Sequence, residues 1–307
     1  MTTKTPMALF DDATTTRLRP RYEGSNIGTW IGFKHINYLA EEAVLEHFRS
    51  VGLSARSLYE DHGLCVEIVD LDTRISTGFR MDDMVEAVVR AEPADGELAF
   101  VVSLAVGRGT GRRMAARSKV RVLLRRDFQD PPAEPAPAAL LPFVVERITR
   151  TERQPAPTPV LDELGRDPRS FARRWRIPYP YCHFSCRLQM SGYLRLLEEI
   201  VDLFLADRGL SIRRLLCERR WIPVVPHSSI TVLDEVIMEE DLYTVFTVEN
   251  IFQNTTFLAR LDAYVLRDGA LLRTASGHIT HGYAEIVSRT DFHLTELDER
   301  VVTALGG

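Results

Sequence analysis

The sequence repeats itself, and this repetition constrains the fold more than any other feature. When the chain is shifted without gaps so that residue 41 falls on residue 198, two Glu-Glu pairs coincide, and Gly-Leu-Ser at residues 52–54 falls on Gly-Leu-Ser at residues 209–211. The apolar residues before each Gly-Leu-Ser keep their helical phase at the same shift. Further coincidences are Val44 with Val201, Met81 with Met238 and Phe100 with Phe257. The 307 residues are therefore predicted to contain a duplicated domain.

Each half is predicted to hold one long helix followed by β-strands. Residues 32–54 show the spacing of an amphipathic helix, with Asn37 as the expected N-cap and Gly52 as the residue that ends it. In the second half the helix covers residues 193–208, and Ser191 and Gly209 take these roles. The predicted strands are β-rich runs bounded by turn residues, at 64–75, 84–92, 98–106 and 114–124 and then at 222–233, 242–252, 255–266 and 271–286.

A long apolar helix followed by antiparallel strands is the pattern of a hotdog fold, in which a sheet wraps the helix and both bury their apolar faces. Two copies predict an α+β chain with a double-hotdog architecture. The first hotdog domain is expected at residues 1–126 and the second at residues 176–307. Eleven of the 16 prolines lie between Pro131 and Pro180, so residues 127–175 are predicted to form an extended connector.

Both halves resemble known thioesterases. Residues 21–30 (RYEGSNIGTW) and 37–54 (NYLAEEAVLEHFRSVGLS) resemble the N-terminal half of plant-type acyl-acyl-carrier-protein thioesterases. Residues 189–205 (QMSGYLRLLEEIVDLFL) resemble the start of the helix in the wider 4-hydroxybenzoyl-CoA-thioesterase-like group. The resemblance covers most of both halves but not the connector, and it implies a hotdog fold with acyl-thioester chemistry.

The resembled family carries its chemistry before the second helix, in the pattern D-x-N-x-H-x-N-N-x-x-Y. Aligned on Tyr193, this chain has His183 at the aspartate position and Arg187 at the histidine position. The three asparagine positions hold Ser185, Gln189 and Met190. The glutamate on the family's helix is matched by Glu199. The scaffold thus resembles a thioesterase, whereas the catalytic set is rewritten.

The resemblance implies that His183, Glu199 and Arg187 are the catalytic residues. His183 could be the base, because histidine titrates near neutral pH, and Glu199 could orient it or act as the base itself. Arg187 could hold a carboxylate or phosphate, or stabilise a developing oxyanion, as could the N–H groups at the start of the second helix. The residues predicted to bind substrate are Ser185, Gln189, Tyr193, Asn26 and Glu42. The last two are the repeat partners of His183 and Glu199, and they mark a second site or its vestige.

The function predicted from these residues is hydrolysis of an acyl-CoA or acyl-carrier-protein thioester in fatty-acid or polyketide metabolism. One alternative is a non-hydrolytic acyl-thioester enzyme that dehydrates the chain or adds a nucleophile to it. A second alternative is an inactive protein that binds acyl chains. Release of free thiol distinguishes hydrolysis from both alternatives.

Composition limits the expected partners. The net charge of −5 gives no general attraction to nucleic acid or anionic membranes, and no apolar run reaches the length of a membrane span. The four cysteines form no recognisable disulfide framework, which fits a reducing cytoplasm. No cofactor or metal is expected, because Cys182-His183-x-x-Cys186 lacks a second ligand pair at zinc spacing. Arg213-Arg214 and Arg219-Arg220 are candidate contacts for an acidic carrier protein, and a homodimer is left open.

Three further histidines are considered as candidates for a catalytic role. His47 lies on the apolar face of the first helix, where the repeat has Phe204, so it is predicted to be a core residue with a hydrogen-bond partner. His278 and His281 lie in one predicted strand, and their odd spacing puts them on opposite faces. At most one of them can face a site.

Overall fold

The structure is a computed structural model, and it describes residues 8–306 apart from residues 12, 93–96, 109–110, 152 and 185. The chain divides into two compact units. Unit 1 contains Met1–Asn26 and Trp30–Ile148, and unit 2 contains Ile27–Thr29 and Thr149–Gly307. The division after residue 148 falls inside the predicted connector, so this segment contributes to both units.

Unit 1 combines one long helix with antiparallel strands. Its helices are α1 (Ala8–Asp11), α2 (Phe33–Ser50) and α3 (Ala55–His62). Its strands are β1 (Thr14–Leu18), β2 (Leu64–Ile75), β3 (Val85–Glu92), β4 (Leu98–Arg108), β5 (Gly111–Arg126) and β6 (Val144–Val145). The order is β1-β3-β4-β5-β2 with antiparallel neighbours, and β6 pairs in parallel with β5. All four predicted strands are confirmed, and β1 is an additional strand.

Unit 2 repeats this arrangement with more short elements. Its helices are α4 (Val160–Leu164), α5 (Met190–Asp207), α6 (Ile212–Arg219) and α7 (Glu299–Ala304). Its strands are β7 (Arg153–Pro155), β8 (Ser170–Arg176), β9 (Cys182–His183), β10 (Arg187–Leu188), β11 (Trp221–Val232), β12 (Asp241–Phe252), β13 (Thr256–Arg267), β14 (Ala270–Ile286) and β15 (Phe292–Thr295). The order is β11-β14-β13-β12-β8, and β7 and β15 also pair with β14. The four predicted strands of this half are confirmed. Within the described ranges, no helix is long and apolar enough to cross a membrane.

The long helices α2 and α5 are the central elements of their units. Each has 18 residues and buries one apolar stripe. The predicted N-caps are wrong, because the helices begin earlier, after Gly32 and Gln189. Ser191 lies inside α5, and Asn37 lies inside α2, where its side-chain oxygen accepts a 2.6 Å hydrogen bond from the Thr73 hydroxyl. Neither observed N-cap makes a side-chain capping bond, so the usual capping signal is missing from the sequence.

The repeated Gly-Leu-Ser sequence joins two helices in each unit. Gly52 and Gly209 follow α2 and α5 with φ of +84° and +70°, a conformation that glycine adopts without steric cost. The leucine that follows each glycine is buried. Ser54 and Ser211 then cap α3 and α6, because each hydroxyl oxygen accepts a hydrogen bond from the N–H three residues later. The sequence repeat is therefore a repeat of one structural junction.

The predicted connector, residues 127–175, is folded along much of its length. A 3-10 helix at Ala138–Phe143 and strand β6 belong to its part in unit 1. In unit 2 it supplies β7, α4 and β8. Strand β8 pairs with β12 at the end of the strand order. The segment thus contributes short elements and a strand at the end of the strand order, rather than a purely extended connector.

His47 is a core residue of α2, as predicted. Its Nε2 donates a 2.9 Å hydrogen bond to the Leu9 carbonyl, and its Nδ1 lies 2.8 Å from the Thr14 hydroxyl. Since a carbonyl can only accept, Nε2 carries a proton and a neutral ring accepts at Nδ1. The ring packs edge-on against Phe100 with 5.3 Å between centroids. Both ring nitrogens are satisfied, so His47 serves the core of unit 1.

Candidate active site

The residues before α5 form a two-stranded antiparallel ribbon in unit 2. Strands β9 and β10 pair so that His183 lies directly opposite Arg187. Phe184 enters the connecting turn with φ of +49°, and its ring packs on His183 with 4.7 Å between centroids. Ser185 lies outside the described residues. The structure therefore brings together two of the three predicted catalytic residues.

The ribbon is anchored through β10. A 2.9 Å backbone hydrogen bond from Leu188, a β-bridge at Arg187 and a 2.7 Å bond to the carbonyl of the preceding Cys186 tie this part of the ribbon to residues 236–238. Directly opposite residues share one face of a ribbon, with their Cβ atoms about 4.5–5.5 Å apart. Arg187 is only 3% exposed, so it is not a surface charge, whereas His183 is half-buried. Because an arginine keeps its charge in proteins, His183 has a fixed cationic neighbour.

The first turn of α5 lies close against the ribbon. Gln189 precedes the helix, and its N–H donates a 3.1 Å hydrogen bond to the Tyr181 carbonyl. A Cβ atom on Gly192 would lie 2.5 Å from Leu188 Cδ1 and 2.8 Å from the Tyr181 carbonyl oxygen. Glycine therefore permits this close approach, which brings the positive end of the helix dipole to the ribbon. Sequence reasoning missed Gly192, although a glycine inside an apolar helix pattern signals a packing reason.

Tyr193, in the first turn of α5, is buried. Its side chain is 1% exposed, and its hydroxyl lies toward Thr274 and the buried carboxylate of Asp234. Arg267 donates to both oxygens of Glu240 at 2.7 Å and approaches Asp234 at 3.4 Å. Burial raises the pKa of Tyr193, so the phenol keeps its proton. This placement anchors the start of α5, and the substrate-binding role of Tyr193 stays a prediction.

The acidic pairs on the two long helices are divided by burial. Glu199 and Glu42, the predicted members, are exposed, whereas Glu198 and Glu41 are half-buried. Adjacent helix positions differ by about 100° around the axis, so only one member of each pair can turn toward the core. Oε1 of Glu41 is inaccessible and has no hydrogen-bond partner within the described ranges. Burial and, to a lesser extent, the charge of Glu42 raise the pKa of Glu41 to about 8.

The corresponding region of unit 1 has different chemistry. Asn26, the repeat partner of His183, is exposed. Trp30, the repeat partner of Arg187, forms a β-bridge with Arg80, whose guanidinium lies 4.4 Å from the centroid of the indole ring. Unit 1 therefore keeps the corresponding backbone pairing, between Ser25 and Ile31, but its side chains differ, and no histidine occupies the position of His183.

The remaining candidate side chains, Cys182, His278 and His281, lie outside the ribbon's histidine–arginine pair. Burial, with the nearby Cys186, raises the pKa of the Cys182 thiol to about 11, so this thiol stays protonated and is a poor nucleophile or ligand. His278 is 41% exposed and lies 3.4 Å from Glu249, whereas His281 is buried. The prediction that these histidines occupy opposite faces of one strand is confirmed.

The predicted contact surface for a carrier protein lies on and next to α6. Arg214 forms an ion pair with Glu218 at 2.7 Å, and Arg219 forms one with Asp298. The other two arginines of this group, at positions 213 and 220, are exposed. Pairing thus reduces the positive charge that this surface offers to a partner.

Three solved structures that resemble this fold are thioesterases. A protein assigned as an oleoyl thioesterase from Lactobacillus plantarum has a TM-score of 0.59 and 13% identity, over 88% of this chain and 96% of that one. An acyl-ACP thioesterase from Bacteroides thetaiotaomicron has a TM-score of 0.53 and 11% identity, over 88% and 97%. The 12:0-ACP thioesterase from Umbellularia californica has a TM-score of 0.56 and 10% identity, over 88% and 94%.

These likenesses confirm, at the level of fold, the resemblance found in the sequence. Two of the neighbours are acyl-acyl-carrier-protein thioesterases, and the third is the protein assigned as an oleoyl thioesterase. All three have the hotdog fold that the sequence resemblance implies. No protein-family model matches the sequence, and no curated protein matches it either. With identities between 10% and 13%, the likeness is one of fold, and the reaction must be argued from the residues of this chain.

Proposed function

We propose that this protein is an acyl-thioester hydrolase built as a double hotdog, with one hotdog in each unit. The pairing of an 18-residue helix with antiparallel strands in each unit supports this architecture. The reaction rests on one observation. His183 lies opposite the buried Arg187, in the ribbon that leads into α5, at the positions where the resembled family holds its catalytic residues.

In this proposal, His183 is the general base. It takes a proton from water while the water oxygen attacks the thioester carbonyl, and the proton then passes to the departing thiolate. Half-burial leaves the His183 ring within reach of water. A positioned base of this kind contributes about 10²- to 10⁴-fold to the rate.

Arg187 and the start of α5 stabilise the oxyanion. The guanidinium shares a face of the ribbon with His183, and the first N–H groups of the helix add their dipole. Fixed donors and charges of this kind are worth more in a buried site than in water, because they need no reorganisation. The burial of Arg187 supports this role.

An acid on α5 orients His183. The resemblance predicts Glu199, which is exposed, whereas half-burial favours its neighbour Glu198. The two assignments are separated by Glu198→Gln and Glu199→Gln, since only the acid that orients the base lowers kcat when its charge is removed.

The proposed substrate is an acyl chain joined by a thioester to coenzyme A or to a carrier protein. The acyl chain follows the apolar face of α5, the helix that begins directly after the ribbon. The exposed arginines at positions 213 and 220 are the proposed contacts of an acidic carrier protein.

The test is release of free thiol from acyl-CoA and acyl-carrier thioesters, followed alongside the mass of the acyl product. Hydrolysis predicts free thiol and free acid, with strong loss in His183→Ala and none in His278→Ala, which changes the same residue type on the outer face of β14. A mass change on the carrier without thiol release would instead indicate dehydration or addition. Acyl-chain binding with neither change would indicate an inactive binding protein.

A further inference from the structure

Two buried polar side chains on β14 are not used by the proposed reaction. His281 and Tyr283 are 2% and 1% exposed, and their rings meet edge to face with 5.4 Å between centroids. Residues two apart in a strand point to the same face. Phe257 packs on His281 at 5.0 Å, and Trp221 stacks on Tyr283 at 5.7 Å. In the parts of the chain that the structure describes, neither His281 Nδ1 nor the Tyr283 hydroxyl has a hydrogen-bond partner.

The fold itself does not require polar groups at these positions. Phe100 of unit 1 corresponds to Phe257 in the repeat, and its partner across the strands is Val120, where unit 2 has His281 opposite Phe257. Val122, two residues further, takes the place of Tyr283. Both valines are buried, so apolar side chains fill the equivalent space in unit 1.

The surroundings of these atoms also differ from those of His47. The ring of His47 packs on the equivalent phenylalanine of unit 1, yet both of its nitrogens have partners. A buried polar atom without a partner gives up its bonds to water and destabilises the fold, so such atoms are rare and need an explanation. Burial lowers the pKa of His281 to about 4, so at neutral pH its ring is uncharged and can accept or donate one hydrogen bond.

The pair lies at the far end of the inner sheet face from the ribbon. Thr274 of β14 lies against the Tyr193 hydroxyl at the start of α5, and His281 is roughly 20 Å further along the same strand, at about 3.3 Å per residue. Between these two points, Phe204 of α5 packs on Phe246 of β12. Phe246 lies opposite Leu261 of β13, which lies opposite Gly277 of β14. Helix α5 therefore runs from the ribbon toward His281.

We propose that His281 and Tyr283 bind an oxygen atom that the acyl chain carries far from its thioester, a hydroxyl or a keto oxygen. This inference rests on the proposed thioester function, and it adds the substrate class. A hydroxyl group donates to His281 Nδ1 and accepts from the Tyr283 hydroxyl, and a keto oxygen accepts from Tyr283. The hydroxyl gives both atoms a partner and the keto oxygen gives one to Tyr283, whereas an unsubstituted chain leaves both without partners.

The experiment compares thioesters of equal chain length, either unsubstituted or carrying one hydroxyl near the chain end or near the thioester. Wild-type protein should favour the distal hydroxyl in kcat/KM by about tenfold or more, as expected for two hydrogen bonds. Tyr283→Phe removes one oxygen without changing the ring, and it should lower this preference about fivefold while the unsubstituted chain is hydrolysed as before. His281→Phe should act in the same direction, and His278→Phe on the opposite face should change nothing.

Binding of the free acids, with and without the distal hydroxyl, separates this inference from the reaction. Thiol release without any preference for the distal hydroxyl, or a preference that survives both substitutions, would overturn the inference and leave hydrolysis intact. A resident water satisfying the two side chains would give that result. A binding preference for the hydroxylated acid, lost in Tyr283→Phe, supports the inference even if no thioester is hydrolysed, and then only the proposed reaction fails.

Discussion

At the scale of single residues, burial separates satisfied from unsatisfied titratable groups. His47 has a partner at each ring nitrogen. Within the described ranges, Glu41 and His281 each keep a buried atom without a hydrogen-bond partner. Burial raises the pKa of Glu41 to about 8 and lowers the pKa of His281 to about 4. Both side chains are therefore mainly neutral at pH 7.

The raised pKa of Glu41 makes stability depend on pH. Its pKa is 4.5 in ordinary surroundings and about 8 in the fold, so the folded protein holds the proton more tightly. The resulting stability is complete below pH 4.5, is lost as pH rises toward about 8 at up to about 1.4 kcal/mol per pH unit, and stays constant above that.

Glu41→Gln should remove this dependence. In denaturant titrations at several pH values, the wild type should lose unfolding free energy relative to the variant as pH rises from about 5 to 8. Glu42→Gln, which changes the exposed neighbour, is the matched control. A constant difference between Glu41→Gln and wild type across this range would show that Glu41 titrates normally.

The partners of His47 make it harder to replace than the repeat suggests. Phe204 occupies the equivalent helix position, but His47→Phe would leave the Leu9 carbonyl and the Thr14 hydroxyl without their bonds to the ring. We expect a loss of about 1–3 kcal/mol in the free energy of unfolding. Adding Thr14→Val should recover little of this loss, because the Thr14 hydroxyl still has the Ser50 hydroxyl as a partner at 2.9 Å. Unchanged stability in His47→Phe would mean that these bonds contribute nothing.

At the scale of elements, the long ones could be predicted from sequence and the short ones could not. Strands such as β2 (Leu64–Ile75) carry their own alternation and turn boundaries. The pairing of β9 and β10 covers only two residues per strand, and it depends on tertiary contacts with residues 236–238. The family resemblance, and not the pattern of this segment, predicts the position of the candidate site. The choice between Glu198 and Glu199 depended on helix rotation, which the acidic pair itself does not encode.

The contact between the ribbon and α5 gives a prediction at this scale. Alanine normally stabilises a helix interior by about 1 kcal/mol relative to glycine. At Gly192 the added Cβ would meet Leu188 Cδ1 at 2.5 Å and the Tyr181 carbonyl at 2.8 Å, so the ribbon must shift. We therefore expect Gly192→Ala to lower both the melting temperature and the rate of thiol release. A higher melting temperature with full activity would show that the ribbon does not need this close approach.

At the scale of the whole molecule, the two units share a fold and differ in their chemistry. The Gly-Leu-Ser junction and the long helix are kept in both units. The ribbon with His183 and the polar pair on β14 belong to unit 2, whereas unit 1 has an exposed asparagine and two buried valines at the equivalent positions. We propose that duplication followed by such divergence has left the reactive residues in unit 2.

That claim is tested most directly by kcat/KM for thiol release in His183→Ala and in Asn26→Ala, measured on the best acyl thioester. Loss of the general base predicts a fall of about a hundredfold or more in His183→Ala. Asn26→Ala, at the repeat position in unit 1, should stay within about threefold of wild type, a difference below 1 kcal/mol. Full activity in His183→Ala, or a hundredfold loss in Asn26→Ala alone, would contradict the assignment of the reaction to unit 2.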